Sequence, residues 1–174
     1  MTPYYRIETI LYAAAIVLKQ VPKARFILVG EGRHRKNLEN FSKSIGIGPS
    51  VVFTGFIPYD EMPRIIHDAD VCIYPVPDSS ALAIYEYMAC GKPTLIPDYF
   101  TEKMGIRADI IPEDCVILAQ PSTTAIAKGI LSLLEDDLAR DRIGRNARAW
   151  VENGFSWDQL AVNYESALLS VSRR

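Results

Sequence analysis

The sequence predicts an α/β fold in which a doubly wound parallel sheet carries helices on both faces. Its strand candidates are short and continuously apolar, which is typical of strands buried on both faces of a parallel sheet. Segments of helical periodicity alternate with these runs, as they do in βαβ units. The chain has 174 residues and no internal repeat, which is the size of one domain. These three observations together predict a Rossmann-like domain.

Apolar runs bounded by turn residues place the strands, and apolar periodicity places the helices. The strands are expected at "RFILVG" (25–30), "VVFTGF" (51–56), "VCIYPV" (71–76), "PTLIP" (93–97) and "CVILA" (115–119). The helices are expected at 7–18, 35–46, 62–69 and 81–90, with two or three more from about residue 122 to the end.

Two helix ends carry recognisable signals. Gly46 is expected to close the helix that begins near Arg35, because glycine readily takes the left-handed conformation at a helix C-terminus. Ser156 and Gln159 match a capping box at the start of the last helix. Phe155 and Leu160 stand where a hydrophobic staple would place them.

Composition excludes several classes of protein. The formal net charge of −2 argues against a generic nucleic-acid binder, which usually carries a basic surplus. No apolar run approaches the roughly 20 residues of a membrane helix, and "MTPYYRIETI" lacks the apolar core of a signal peptide. The spacing of the three cysteines matches neither a zinc site nor a disulfide framework. We therefore expect Cys72, Cys90 and Cys115 to be buried thiols, as in a cytoplasmic protein.

Ligands of doubly wound sheets bind at the carboxyl ends of the strands, beside helix N-termini. The first such junction here is "VGEGRHR", in which Gly30 and Gly32 flank Glu31. Arg35 stands where a dinucleotide fingerprint needs a third glycine, so the pattern is a weak signal for NAD. The glycines either let a ligand approach the backbone closely or form a tight turn without a ligand.

The second junction is "PVPDSSALAIYEYMACGKP", where one acid interrupts an apolar helix. Asp78, Ser79 and Ser80 are good N-cap residues, and the amides of this helix start would attract a phosphate. Glu86 lies about two turns into the helix and leans back toward the same cleft. Two acids around an anion site suit a sugar nucleotide. Alternatively, Asp78 is only a cap and Glu86 only pairs with a nearby Lys or Arg.

Two acids separated by seven residues, followed by "YMACGKP" and a strand, resemble the donor site of the retaining GT-B glycosyltransferases of the glycosyl transferases group 1 family. The flanking segments "ARFILVGEGRHRKNLE", "VVFTGFIPYDEMPRIIHDADVCIYPVPDSS" and "RIGRNARAWVENGFSWDQLAVNYESAL" are similar to the family in order and spacing. The resemblance covers nearly the whole chain. It implies that residues 1–174 form a single donor-binding domain, the C-terminal half of a two-domain enzyme whose N-terminal acceptor domain lies outside this chain.

The resemblance also implies roles for individual residues. Glu86 matches the acid that grips the ribose, and Asp78 stands where the other acid, usually Glu, contacts the sugar. Phe56 and Ile57 match a loop along the nucleobase. The donor-binding residues implied in full are Arg6, Gly30, Glu31, Gly32, Phe56, Ile57, Asp78, Ser79, Ser80, Ala81, Leu82 and Glu86. The donor, a nucleoside-diphosphate sugar carrying UDP or GDP, is a substrate, and neither a cofactor nor a metal is implied.

The chain departs from the family pattern in two places. Ser79, Ser80 and Ala81 replace a Gly-Phe-Gly, and Tyr5 stands at the position of a diphosphate-binding lysine, with Arg6 beside it. These departures favour one rival function, a non-catalytic assembly module with a degenerate site. A second rival, a sugar-nucleotide epimerase or hydrolase on the same fold, would need a further acid/base pair facing the sugar, which the sequence does not offer.

A further departure lies at the chain's start. The family's first strand, central to its sheet, is not matched, so we expect its neighbours to close up or the chain to self-associate. Exposed apolar residues of the last helix, around Leu160, Tyr164 and Leu168, would favour self-association. We expect the protein in the cytoplasm, or at the periphery of a membrane through its other domain.

Overall fold

The computed structural model describes residues 6–75, 82–98, 111–154 and 157–172. Five strands and seven α-helices lie in these ranges. The strands are β1 (Phe26–Val29), β2 (Val51–Gly55), β3 (Cys72–Ile73), β4 (Thr94–Pro97) and β5 (Ile117–Ala119). The helices are α1 (Ile7–Gln20), α2 (Arg35–Ser44), α3 (Met62–Asp68), α4 (Leu82–Ala89), α5 (Thr123–Glu135), α6 (Asp137–Gly154) and α7 (Trp157–Ser172).

The strands form two parallel sheets rather than one. β1 pairs with β2, with Phe26 opposite Val51, and the order in the second sheet is β3-β4-β5. The predicted α/β class, with parallel strands and helices on both faces, is confirmed. The alternative in which the strands beside the unmatched first strand close up directly is wrong, because β1 and β3 do not pair in the described structure.

Helix α1 joins the two sheets. One side of it packs with α5 over the second sheet, in a core that includes Val17, Leu95 and Ile126. Its other side packs with α2 over the first sheet, where Leu11 and Leu38 are fully or nearly fully buried. A third core lies on the opposite face of the second sheet, between that face and helices α4 and α6, and contains Tyr74, Met88, Ile96 and Ala147.

The strand predicted at 71–76 is shorter than expected. β3 ends at Ile73, although the Tyr74 N–H still donates to the Leu95 carbonyl over 3.0 Å. Pro75 follows and has no N–H with which to continue the ladder. The strand therefore stops where the loop toward α4 begins.

Of the two predicted helix-end signals, one is confirmed. Gly46 has a φ of +78°, and its N–H donates to the Lys43 carbonyl at the end of α2. The capping box and the hydrophobic staple involve Phe155 and Ser156, which lie outside the described residues. Those two predictions stay predictions.

The three cysteines are unpaired thiols, as the spacing indicated, but only Cys72 and Cys115 are buried as predicted, and Cys90 is partly exposed. Burial raises the pKa of the Cys72 thiol to about 12 and that of Cys115 to about 11. Both thiols therefore stay protonated and poorly reactive at neutral pH. Separately, none of the helices within the described ranges has the length and apolar character needed to cross a bilayer.

Candidate functional site

The loops predicted to bind a ligand follow β1 and β2 and precede α4. Gly30, Glu31 and Gly32 lie directly after β1, and Phe56 and Ile57 directly after β2. Leu82 and Glu86 belong to α4, which follows β3. The remaining predicted residues of this junction, Asp78, Ser79, Ser80 and Ala81, lie outside the described residues.

Hydrogen bonding joins the ends of β1 and β2. The Gly30 N–H donates to the Gly55 carbonyl over 2.9 Å, just past an irregularity in the ladder between Leu28 and Val29. Gly30 has a φ of +113° and Gly55 a φ of +78°, conformations that favour glycine. A Cβ added at Gly30 would meet no atom within 4 Å, so a ligand has room to approach this backbone.

Arg35 occupies the place where a dinucleotide fingerprint has its third glycine. It is the first residue of α2, and its N–H donates to the Gly32 carbonyl over 3.0 Å. Its side chain reaches back to β2, where the guanidinium donates to the Phe53 carbonyl over 3.0 Å. In a dinucleotide fingerprint the third glycine lets the helix pack closely on the strand. The bulky Arg35 side chain does not permit such close packing, which agrees with the weak sequence signal for NAD.

Glu86 is half-buried, and its carboxylate contacts the loop that follows β2. Within the described part of the chain, the hydroxyl of Tyr59 lies close to this carboxylate. The negative charge of Glu86 raises the pKa of Tyr59 above its ordinary value. The ion pair with Lys or Arg that the sequence left open for Glu86 is not among the described contacts.

Tyr59 was not predicted as a site residue, although a signal for it exists in the sequence. It stands three residues after Phe56 in the segment "GFIPY", and both side chains are 77% exposed. Leu82, at the start of α4, is 71% exposed. Large apolar side chains are thus exposed at both the β2 loop and α4, the two elements that the Tyr59–Glu86 contact brings together.

Arg6 lies at the start of α1 and is exposed. Its backbone takes the left-handed conformation, with φ 46° and ψ 34°, which non-glycine residues adopt infrequently. The structure thus places Arg6 at a helix N-terminus, next to Tyr5, which lies outside the described residues.

Comparison with known proteins decides the family. The model of the family described as "Glycosyl transferases group 1" matches residues 1–150. The chain belongs to this family. An uncharacterised glycosyltransferase of Methanocaldococcus jannaschii is 28% identical over 158 residues, covering 89% of this chain and 39% of the relative.

Solved structures show the same fold. HepE of Anabaena, solved in complex with UDP, aligns with a TM-score of 0.78 and 23% identity, over 98% of this chain and 46% of that one. The C-terminal domain of LpcC, a group 1 family protein of Francisella tularensis, aligns with a TM-score of 0.77 and 21% identity, over 90% and 83% of the two chains. The fold is that of the C-terminal domain of GT-B glycosyltransferases, and the chain spans less than half the length of the curated relatives it matches.

Proposed function

We propose that this chain is the donor-binding half of a retaining glycosyltransferase. It binds a nucleoside-diphosphate sugar in a cleft lined by residues 30–32, 56–57 and 78–86. The observation that carries this proposal is the position of Glu86, whose half-buried carboxylate meets the β2 loop through Tyr59. Membership of the group 1 family supports it, as does the UDP bound to HepE.

In the proposed reaction the protein positions the donor and stabilises negative charge on its diphosphate. The nucleobase lies along Phe56 and Ile57, Glu86 accepts hydrogen bonds from the ribose, and Asp78 contacts the sugar. The diphosphate lies near the N-terminus of α4, where unpaired amides and the helix dipole favour negative charge. The same groups stabilise the charge that develops on the departing diphosphate as the sugar leaves.

The acceptor site belongs to a separate N-terminal domain in this proposal. Residues 1–174 then bind the donor as a single domain but turn it over poorly without the acceptor domain. The donor is consumed as a substrate, without a further cofactor, and the protein acts in the cytoplasm. Retention of anomeric configuration follows from the resemblance to the retaining members of the family.

One alternative has specific support. The replacement of Gly-Phe-Gly by Ser79, Ser80 and Ala81, and of a lysine by Tyr5, favours a non-catalytic assembly module whose nucleotide site has degenerated. Isothermal titration calorimetry of the 174-residue chain with UDP and with GDP separates the two functions. A donor-binding domain binds one of the two nucleotides, and an assembly module binds neither.

Glu86→Ala is expected to weaken binding of that nucleotide by about 1.5–3 kcal/mol, the worth of a hydrogen bond to a charged group. The fold should survive, because Glu86 faces the cleft and its described partner, Tyr59, is an exposed side chain. Calorimetry measures the affinity, and thermal unfolding measures the stability.

Tyr59→Phe is the matched control for this experiment, since it removes the hydroxyl beside Glu86 but leaves the carboxylate in place. We expect its nucleotide affinity to stay close to that of the wild type. Glu86→Ala with wild-type affinity and a lowered melting temperature would contradict the proposed role and make Glu86 a structural residue.

A further inference from the structure

The loop after β1 and the C-terminal end of β2 are linked by the side chain of Arg35. Each of its three guanidinium nitrogens donates to a different acceptor. Nε donates to Glu39 over 2.8 Å, one terminal nitrogen donates to Glu31, and the other donates to the Phe53 carbonyl over 3.0 Å. The acceptors belong to α2, to the β1 loop and to β2, so one side chain connects three separate segments.

Gly55, the last residue of β2, is fitted closely to this network. A Cβ added at Gly55 would lie 2.7 Å from Glu31 Oε1 and 2.8 Å from a terminal nitrogen of Arg35, both closer than real Cβ contacts. The Glu31–Arg35 pair therefore lies directly against the Gly55 backbone. The Gly55 carbonyl in turn accepts the Gly30 N–H, so the backbone and the side chains hold the same two segments together.

The Arg35 and Glu39 members of this network are less exposed than an ordinary surface ion pair. The side chain of Arg35 is 30% exposed and that of Glu39 34%, whereas that of Glu31 is 52% exposed. The Arg148–Glu152 pair on α6 has the same spacing and the same 2.8 Å distance, but its side chains are 58% and 57% exposed. Exposed pairs of that kind contribute little, whereas a planar guanidinium that satisfies several acceptors is specific in its geometry.

We propose that Arg35 is a positioning residue that fixes the β1 loop and the C-terminal end of β2 relative to each other, so that two walls of the nucleotide cleft, residues 30–32 and 56–57, are assembled before the ligand binds. This inference rests on the proposed function for the identity of the ligand. Binding to a preassembled cleft avoids the cost of ordering two loops, so loss of the link weakens binding even though Arg35 touches no ligand. Lysine cannot replace it, because an ammonium group lacks the fork that reaches three acceptors in different directions.

The test compares Arg35→Gln and Arg35→Lys with Arg148→Gln, the matched control on α6. The first readout needs no ligand and is the hydrogen exchange of the Gly30 amide, which bonds to Gly55. The Ile126 amide, bonded to the Ser122 carbonyl at the start of α5, is the remote reference. We expect both Arg35 variants to speed exchange at Gly30 about tenfold without speeding it at Ile126, and Arg148→Gln to change neither.

The second readout is the affinity for UDP or GDP, whichever the wild type binds. We expect it to fall about tenfold in both Arg35 variants and to stay unchanged in Arg148→Gln. The proposal is overturned if the Gly30 amide of Arg35→Gln exchanges as slowly as in the wild type, or if Arg35→Lys behaves like the wild type in both readouts. It is also overturned if the Gly30 amide exchanges faster in the Arg35 variants but their nucleotide affinity is unchanged. If the wild-type chain binds neither nucleotide, the proposed function fails, and the exchange of Gly30 alone decides whether Arg35 positions the two loops.

Discussion

Gly144→Ala is expected to destabilise the protein by about 3 kcal/mol, the upper end of the usual cost of overpacking an interior. Gly144 is buried in α6 where this helix crosses the end of α4. A Cβ at this position would lie 2.1 Å from the Gly91 carbonyl oxygen and 3.0 Å from its carbon. Both atoms belong to the backbone, so no side-chain rotation relieves the clash, and α4 and α6 must separate.

Thermal unfolding checks this prediction, and the melting temperature should fall by about 6–12 °C for a domain of this size. Gly154→Ala is the matched control, because it is in the same helix and a Cβ there would meet no described atom within 4 Å. We expect this control to keep the wild-type melting temperature or to raise it slightly, given the better helix propensity of alanine. Equal melting temperatures for the two variants would mean that α6 can move away from Gly91 at little cost.

The close approach of α4 and α6 also matters for the candidate site. Gly91 has a φ of +68°, and its N–H donates to the Met88 carbonyl, so it closes the helix that carries Glu86. A shift of α4 away from α6 would move Glu86 relative to the β2 loop. Gly144→Ala should therefore weaken nucleotide binding as well as stability, whereas Gly154→Ala should leave both intact.

Most elements of the fold were predictable from local patterns. The apolar runs of β4 and β5 are continuous because helices pack on both faces of the second sheet, and the helical periodicities follow from burial of one helix face. The apolar runs of β1 and β2 also predicted strands, although Ile27 and Val52 are 51% and 48% exposed. The division into two sheets was not predictable in the same way. Strand pairing depends on residues far apart in the chain. The sequences of β1 and β3 by themselves do not predict which strand pairs with each of them.

The candidate site was predictable where one residue broke a pattern. Glu86 stood out as an acid in an apolar helix, and Gly30 as a glycine directly after a buried strand. Arg35 and Tyr59 were missed as site residues because their contacts are long-range. Arg35 reaches Phe53, 18 positions away, and Tyr59 reaches Glu86 on a helix that belongs to the other sheet. Arginine is common on surfaces, so sequence context alone does not mark Arg35, whereas the spacing of Phe56 and Tyr59 in "GFIPY" is a weak signal for Tyr59.

β1 pairs with β2 on one edge, and β3 pairs with β4 on one edge. The other edge of each of these two strands has no strand partner in the described part of the chain. The N–H groups of Cys72 in β3 and of Tyr74 just after it donate to the carbonyls of Pro93, just before β4, and Leu95, within β4. The intervening Ile73 N–H therefore faces away from β4. Phe26 of β1 and Ile73 of β3 pack against one core, so the two sheets lie over the same helices. Unpaired edges of this kind bind extended segments of other chains.

Because of these edges, we expect the 174-residue chain to self-associate in solution, with its average mass by light scattering rising with protein concentration. Ile27 is 51% exposed on β1, and a lysine on an edge strand opposes edge-to-edge pairing. Ile27→Lys should therefore restore the monomer. Val52→Lys is the matched control, since Val52 lies opposite Ile27 on β2 and is 48% exposed, but does not lie on the edge next to the second sheet.

Two results would locate the association elsewhere, and a third would contradict it. If both lysine variants are monomeric, association uses the apolar face shared by Ile27 and Val52 rather than the edge of β1. If only Leu168→Lys is monomeric, association uses α7, where Tyr164 is 72% and Leu168 60% exposed. A wild-type chain that stays monomeric at every concentration contradicts the prediction itself. It would mean that the backbone groups on these edges are satisfied within the chain or by water, since buried N–H and C=O groups are rarely left unpaired.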